Sequence, residues 1–292
     1  MFKRVDLLLH PRNREAPLLA QRIEKKLRSR GVEVSRTQRE HGRDRKLGPS
    51  VDLLVAIGGD GTVLRAQRLA VERDVPVLGV GAGRLGFLAE IAPQDLDDGL
   101  ERLVAGAYRI EERSLIEVLH ERSGGQHVGT YTALNDAVLA RGRSLRSLWI
   151  AVTVDGVHLA NYVADGIIAA TATGSTAYSL AAGGPILTPE LRNIVLTPIA
   201  AHLSVVQSLI LSGDAKIGLS LVRSQDAQFS VDGQLDVTVS YGDKLTVTMA
   251  DTTAKFVRVS APSRFYTELV ARLQHDLDRM RGPSGTETPP QT

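Results

Sequence analysis

Cysteine is absent from the 292 residues, which excludes disulfides, thiolate metal sites and a cysteine nucleophile. Long apolar runs are missing as well. No stretch reaches membrane-spanning length, and the apolar part of Met1 to His10 is too short for a secretory signal. A cytoplasmic protein without a membrane partner is therefore expected. An excess of either charge is also lacking: 35 Lys and Arg against 33 Asp and Glu leave a formal charge of +2, so nothing electrostatic points to a nucleic-acid partner. The run from Arg36 to Lys46 is locally basic and reads either as a solvated loop or as a neighbour of an anionic ligand. What remains is an ordinary globular composition, 43% hydrophobic and 23% charged, in a chain long enough for two domains and a cleft between them.

Val5 to His10 is a short apolar run. Glu15 to Arg30 then places Leu18, Leu19, Ile23 and Leu27 at helical spacing before Gly31, and Val32 to Ser35 reads as the next strand. Val51 to Ile57 is apolar enough for a buried parallel strand, and so is Val75 to Val80, with a helical segment between them. Alternation of strand and helix predicts an open, Rossmann-like α/β sheet, whose ligands bind at the carboxyl ends of strands. Asp95 to Ala105 reads as one more helix.

Beyond it the texture changes. Short strand-like runs follow one another at Tyr108 to Leu119, Tyr131 to Ala140, Trp149 to Val154, Gly166 to Ala170, Leu209 to Leu211, Lys216 to Val222, Gln228 to Val231 and Lys244 to Met249. This predicts an all-β, sandwich-like second domain, interrupted only near Ser175 to Ala182. The helical spacing of Phe265, Leu269, Leu273, Leu277 and Met280 predicts a last helix returning to the first domain. The expected units are 1–105 with 263–281, then 106–262, and a disordered tail over 282–292.

Three clusters carry chemistry. Gly58-Gly59-Asp60-Gly61-Thr62 lies where the buried strand hands over to a helix, so backbone N–H groups and the helix N-terminus suit a phosphate. Asp60 itself cannot attract one. It reads as a group that orients a hydroxyl, as a metal ligand, or as the cap of the helix. The stretch from Thr171 to Ser179 crowds hydroxyls and backbone donors at a strand-to-helix turn, with Tyr178 offering a face for a base; the alternative is a capping turn. Asn135-Asp136 can bridge vicinal ribose hydroxyls or serve a turn.

Taken in order, these motifs resemble those of the bacterial NAD kinases, which phosphorylate the adenosine ribose 2′-hydroxyl of NAD with a nucleoside triphosphate. The series is the GGDGT turn, the stretch Gly79 to Leu88, Asn135-Asp136, Asp165-Gly166, Thr173 to Tyr178, Gly183-Gly184-Pro185, Pro198 to His202 and Asp232-Gly233-Gln234. GGDGT by itself is shared with lipid kinases, whereas the ensemble spans residues 50 to 262.

The resemblance implies that Asp60 is the catalytic carboxylate, with Gly58, Gly59, Gly61 and Thr62 beside the phosphates. It implies that Asn135 and Asp136 hold the nicotinamide side or its ribose, and that Thr176, Ala177, Tyr178, Ser179 and Ala181 line the adenine and ribose pocket. Asp165, Ala200 and Gln234 fall near the dinucleotide, and Arg65 and Arg146 are candidate cations for phosphate oxygens. It further implies ATP as co-substrate, Mg²⁺ or another divalent cation carried by the triphosphate with no protein-only metal site, and a homodimer or homotetramer. Several positions depart from the family pattern: Gly81 replaces an Asn, Ala172 a Pro, and Asp136 a Glu, while the second Pro after Pro198 and an Arg-Pro near Val206-Gln207 are missing. The rival readings are a lipid-alcohol kinase and a non-catalytic NAD-binding regulator.

Overall fold

A computed structural model describes residues 2–37, 39–40, 43–44, 46–83, 86–144, 146–201, 207–223 and 226–281. The tail 282–292, Leu85 of the glycine-rich stretch, His202, Val206 and parts of the basic run lie outside the described residues, as do the side chains of Leu273, Leu277 and Met280.

The first part of the chain runs β1 (Arg4–Leu9), α1 (Ala16–Arg28), β2 (Glu33–Arg36), the two-residue strands β3 (Arg39–Glu40) and β4 (Arg43–Asp44), β5 (Leu53–Gly58), α2 (Asp60–Val71), β6 (Val77–Gly81) and α3 (Leu96–Val104). Every residue of β5 and β6 is buried, as a central parallel strand covered on both faces requires. Asn13 Oδ1 accepts the N–H groups of Glu15, the cap residue of α1, and of Ala16, its first residue, which satisfies two amides at the helix start. That helix buries Leu19, Ile23 and Leu27 against the sheet; Leu18, expected on the same face, is instead 63% exposed. Its position one residue before Leu19 turns it about 100° away from the buried stripe.

The rest follows as β7 (Arg109–Glu121), β8 (His127–Ala133), β9 (Asp136–Arg141), β10 (Leu148–Val154), β11 (Val157–Ala164), β12 (Gly166–Thr171), α4 (Tyr178–Ala181), β13 (Asn193–Ile199), β14 (Leu209–Ser212), β15 (Ile217–Leu221), β16 (Ala227–Val231), β17 (Leu235–Val239), β18 (Lys244–Arg258) and α5 (Arg264–Arg281). The run Tyr131 to Ala140, read from sequence as one strand, is two: β8 pairs with β7, and β9 joins a different sheet beside β12 and β16. Strands β11, β13 and β17 escaped the sequence reading.

Two large sheets result. One has six antiparallel strands in the order β14-β13-β12-β9-β16-β17. The other has ten and runs through both parts of the chain: β11-β10-β15-β18-β6-β5-β1-β2, with β7 and β8 branching from β18. Strand β18 is the hinge between the two parts. Its first residues pair with β15, Lys244–Met249 and Thr253–Arg258 pair with β7 on either side of a register shift, and Phe256 meets Val77 of β6 in parallel register. Between the sheets Ile150, Tyr162, Ile167, Phe229 and Val247 form one core, while helices cover the parallel strands in two others.

Candidate functional site

The parallel strands are ordered β6-β5-β1-β2, so the connection from β1 leads away on one side and that from β5 on the other. Adjacent carboxyl ends with diverging connections leave a crevice at the switch point. The chain fills its rim with small or polar residues. His10 and Asn13 follow β1, Gly58 ends β5 with Gly59, Gly61, Thr62 and Arg65 after it, and Ala82 and Gly83 follow β6, around a cleft of about 390 Å³. A Cβ on Gly59 or Gly61 would meet nothing within 4 Å, so the backbone there is open to a ligand. Thr62 Oγ1 is buried at the floor without a hydrogen-bond partner among the described residues. Arg65 reaches back to the Leu9 carbonyl at 2.9 Å, which holds its guanidinium on the cleft wall.

Asp60 is not the cap of α2. The cap position is Gly59 in extended conformation, and Asp60 is the first helical residue. Its carboxylate turns instead to the loop after β6, where Phe87 N–H donates to Oδ2 at 3.0 Å and Leu88 N–H to Oδ1 at 3.1 Å. The loop comes this close because residue 86 is glycine: a Cβ there would stand 1.8 Å from Oδ1.

Leu134 and Asn135 occupy the break between β8 and β9, Asp136 opens β9, and the break has a cause. Asp232, at φ 50° in the β16–β17 turn, accepts the N–H groups of Leu134, Asn135 and Asp136 at 3.0, 2.8 and 3.1 Å. Three consecutive amides pointing at one carboxylate cannot also feed a ladder. Thr171 Oγ1 donates to the Leu134 carbonyl, and Gly174 packs so tightly that a Cβ would lie 1.9 Å from the Asn135 carbonyl oxygen. Burial, then the Asp232 charge, push the Asp136 carboxyl up to about 7. Burial raises Asp232 too, opposed by its three N–H donors and by Arg68.

The hydroxyl-rich turn folds on itself as a 3₁₀ segment, Gly174–Thr176, before α4. Ser175 Oγ bonds the Ala172 carbonyl and the Leu187 N–H, and Ser179 Oγ meets Thr197 Oγ1 at 3.0 Å. Thr176 Oγ1 donates to the Thr173 carbonyl, Ala177 is half-buried, and Tyr178 and Ala181 are exposed. Ala200 sits at φ 46° at the end of β13, beside the Asp165 N–H that bonds Ile199. Asp165 pairs with Arg141 at 3.2 Å, and Arg146 lies exposed on the β9–β10 connection.

Two contacts bring the Asp60 end and the Asn135 end together. Arg68 of α2 donates to Gln234 Oε1 at 3.2 Å, and Leu134 packs in one core with Val63, Leu64 and Leu88. The sequence reading missed His10 and Asn13, and it named Gly86 and Asp232 within motifs without giving either a role. His10 was open to inference as the first residue beyond an apolar parallel strand, and Asp232 as the residue before Gly233-Gln234. Among the described residues no three His, Asp or Glu side chains gather as metal ligands, and no helix is long and apolar enough to cross a membrane.

Comparison with known proteins gives concordant matches. Residues 10–108 match the family model for the ATP-NAD kinase N-terminal domain, and 134–259 that for its C-terminal domain. The NAD kinase of Chloroflexus aurantiacus is 42% identical over 275 residues, covering 94% of this chain and 99% of that protein. That of Dehalococcoides mccartyi is 36% identical, with 94% and 97% covered. Among solved structures, yeast NADH kinase complexed with NADH superimposes with TM-score 0.82 at 25% identity, covering 92% of this chain and 88% of that one. An NAD kinase from Archaeoglobus fulgidus in complex with ATP gives 0.73 at 27% identity, covering 90% and 96%.

Proposed function

The chain belongs to the NAD kinase family, and from that premise we propose that it phosphorylates the adenosine ribose 2′-hydroxyl of NAD with ATP to give NADP. In this reading the α/β unit, 1–105 with 263–281, handles the phosphates and the β-rich unit, 106–262, holds the dinucleotide. The triphosphate lies over Gly58 to Thr62 at the switch-point cleft, where open backbone and a helix N-terminus suit anionic oxygens. His10 and Arg65 flank it. The ribose of NAD lies between Asp60 and the Asn135–Asp136 break, with its adenine toward Ala177 and Tyr178.

The observation that carries the reading is the setting of Asp60. Its two oxygens are fixed by the Phe87 and Leu88 amides, and its helix starts at the cleft. A carboxylate held this way accepts the hydrogen bond of an incoming hydroxyl and so orients its oxygen for in-line attack. The new O2′–P bond forms as the bond from the γ-phosphorus to its bridging oxygen breaks, and the hydroxyl proton leaves toward Asp60. Little base strength is needed, since a loose transition state keeps that proton until late.

In this reading Mg²⁺ enters the reaction as part of the metal–triphosphate substrate, where it would neutralise charge on the phosphate oxygens. A cytoplasmic homodimer or homotetramer completes the proposal; exposed apolar residues on outer strands, Ile210 of β14 and Val157 and Leu159 of β11, support self-association.

The test is NADP formation from NAD, ATP and MgCl₂, read through an NADP-specific dehydrogenase, with Asp60→Asn in parallel. Turnover is expected from the wild type and a loss of about 10³-fold in the variant, with NAD affinity kept in calorimetry. Equal turnover in both proteins would remove Asp60 from the mechanism, and NAD binding without product would favour a non-catalytic role.

A further inference from the structure

A chain of buried polar contacts that no motif contains joins the Asp60 carboxylate to the hydroxyl-rich turn. Leu88 is its first link: the N–H donates to Asp60, and the carbonyl accepts from Arg258 Nη1 at 3.2 Å. Arg258, 5% exposed at the end of β18, also meets Glu90 Oε2 at 3.2 Å and donates through Nε to Glu111 Oε1 at 3.0 Å. Glu111 in turn holds Arg113 at 2.5 Å and Arg109 at 2.8 Å. Arg113, 7% exposed, closes the chain by donating to Thr173 Oγ1 at 3.2 Å, and the Thr173 carbonyl accepts from Thr176. Burial alone would raise the Glu111 carboxyl, but Arg258 and Arg113, with hydrogen bonds from Arg109 and Arg113, hold it down at about 2.

We infer that Arg258, Glu111 and Arg113 form a positioning network that sets the Asp60 carboxylate against the nucleotide turn during phosphoryl transfer. The inference rests on the reading of Asp60 as the hydroxyl-facing group. Its physical basis is that desolvated charges stabilise a fold poorly yet are demanding in geometry. The planar guanidinium of Arg258 bridges Leu88 and Glu90 of the β6–α3 connection and Glu111 of β7 at once. An ammonium on a flexible stem is a compact point charge and cannot reproduce that fork. Because Leu88 presents its two backbone groups to Asp60 and Arg258, a displaced Arg258 moves the amides that fix the carboxylate. An error of about 1 Å at the reacting centre costs as much as 10²-fold in rate.

The experiment measures kcat for NADP formation, NAD affinity by calorimetry and Tm in Arg258→Lys, Thr173→Val, Thr173→Ser and the Arg258→Lys/Thr173→Val double variant. Arg258→Lys is expected to lower kcat at least tenfold with NAD affinity within twofold. Thr173→Val, which removes the acceptor at the far end, is expected to lower kcat at least threefold, and Thr173→Ser to restore it. In the double variant the two losses should not multiply, since the chain is already broken. A kcat within twofold of wild type in Arg258→Lys, or fully multiplicative losses, would overturn the network. If Arg258→Lys does not fold, the Thr173 pair decides: an unchanged kcat in Thr173→Val overturns it. Wild type and Asp60→Asn run alongside separate the two levels. An inactive wild type refutes the kinase reading, whereas an active wild type with an indifferent Arg258→Lys refutes only the network.

Discussion

Replacing Gly86 by alanine tests the placement of Asp60 with a single methyl group. The added Cβ would lie 1.8 Å from Asp60 Oδ1, and side chains essentially never tolerate less than 3.0 Å, so loop and carboxylate must separate by about 1.2 Å. That gap breaks both amide bonds, now 3.0 and 3.1 Å long. Each is a hydrogen bond to a charged acceptor, worth roughly 1.5–3 kcal/mol. A displacement of this size at the reacting hydroxyl corresponds to a fall in kcat of about 10²-fold, or about 2.7 kcal/mol of transition-state stabilisation. Affinity for NAD should change little, because the Asn135, Asp232 and Thr171 contacts do not include residue 86. Gly61→Ala is the control, since its Cβ meets no protein atom within 4 Å. It should leave Tm unaltered and act only through KM. Coupled NADP assays and thermal melts of both variants decide the matter. A Gly86→Ala enzyme with kcat within threefold of wild type would refute the claim that the loop amides position Asp60.

Asp136, raised from 3.8 to about 7, should make both stability and binding depend on pH. The folded protein holds this proton more tightly than the unfolded chain, so its contribution is complete below about pH 4 and is lost as pH rises through 7, up to about 4 kcal/mol in all. Urea titrations at pH 5 and 8 should show the decline in wild type and a smaller one in Asp136→Asn. If the ionised carboxylate accepts ribose hydroxyls, NAD affinity rises over the same interval and Asp136→Asn flattens that rise; a parallel pH profile in both proteins would contradict this. Asp232→Asn keeps an oxygen for the Asn135 and Asp136 N–H groups but sets an amide NH₂ against that of Leu134, and should cost about 1–3 kcal/mol of stability in urea while raising KM for NAD. Chelation of divalent cations by EDTA should abolish NADP formation yet leave the Tm of the protein without substrates unchanged; a fall in Tm would reveal a resident structural metal.

Much of the parallel sheet was legible because β5 and β6 are buried on both faces and therefore read as unbroken apolar runs. The turn at Gly58 to Thr62 was legible for a related reason: glycines at the carboxyl end of such a strand have few other uses. Strand β18 was only half seen. It passes through Asp251 and Thr252, polar residues at a register shift that no alternation rule assigns to a strand, and resumes at Thr253 because β7, and at Phe256 also β6, flank it. Strands β8 and β9 were merged because nothing local separates them; Asp232, about a hundred residues later, draws their amides away from the ladder. The role of Asp60 as a helix cap was a fair local reading, and tertiary contact with Phe87 and Leu88 replaces it.

Residue types and spacing along the chain thus determined the succession of strands and helices, the glycine positions that leave backbone open, and the carboxylate and hydroxyls offered for chemistry. These are properties of short stretches, and local sterics and periodicity suffice to set them. Tertiary structure alone decided which groups meet. Arg258 pairs with Glu111 across 147 residues and Arg113 reaches Thr173 across 60, so neither pairing has a period or a motif to announce it. Such contacts arise only once β18 lies between β7 and β6, because a buried charge takes whatever partner the packed backbone brings within reach.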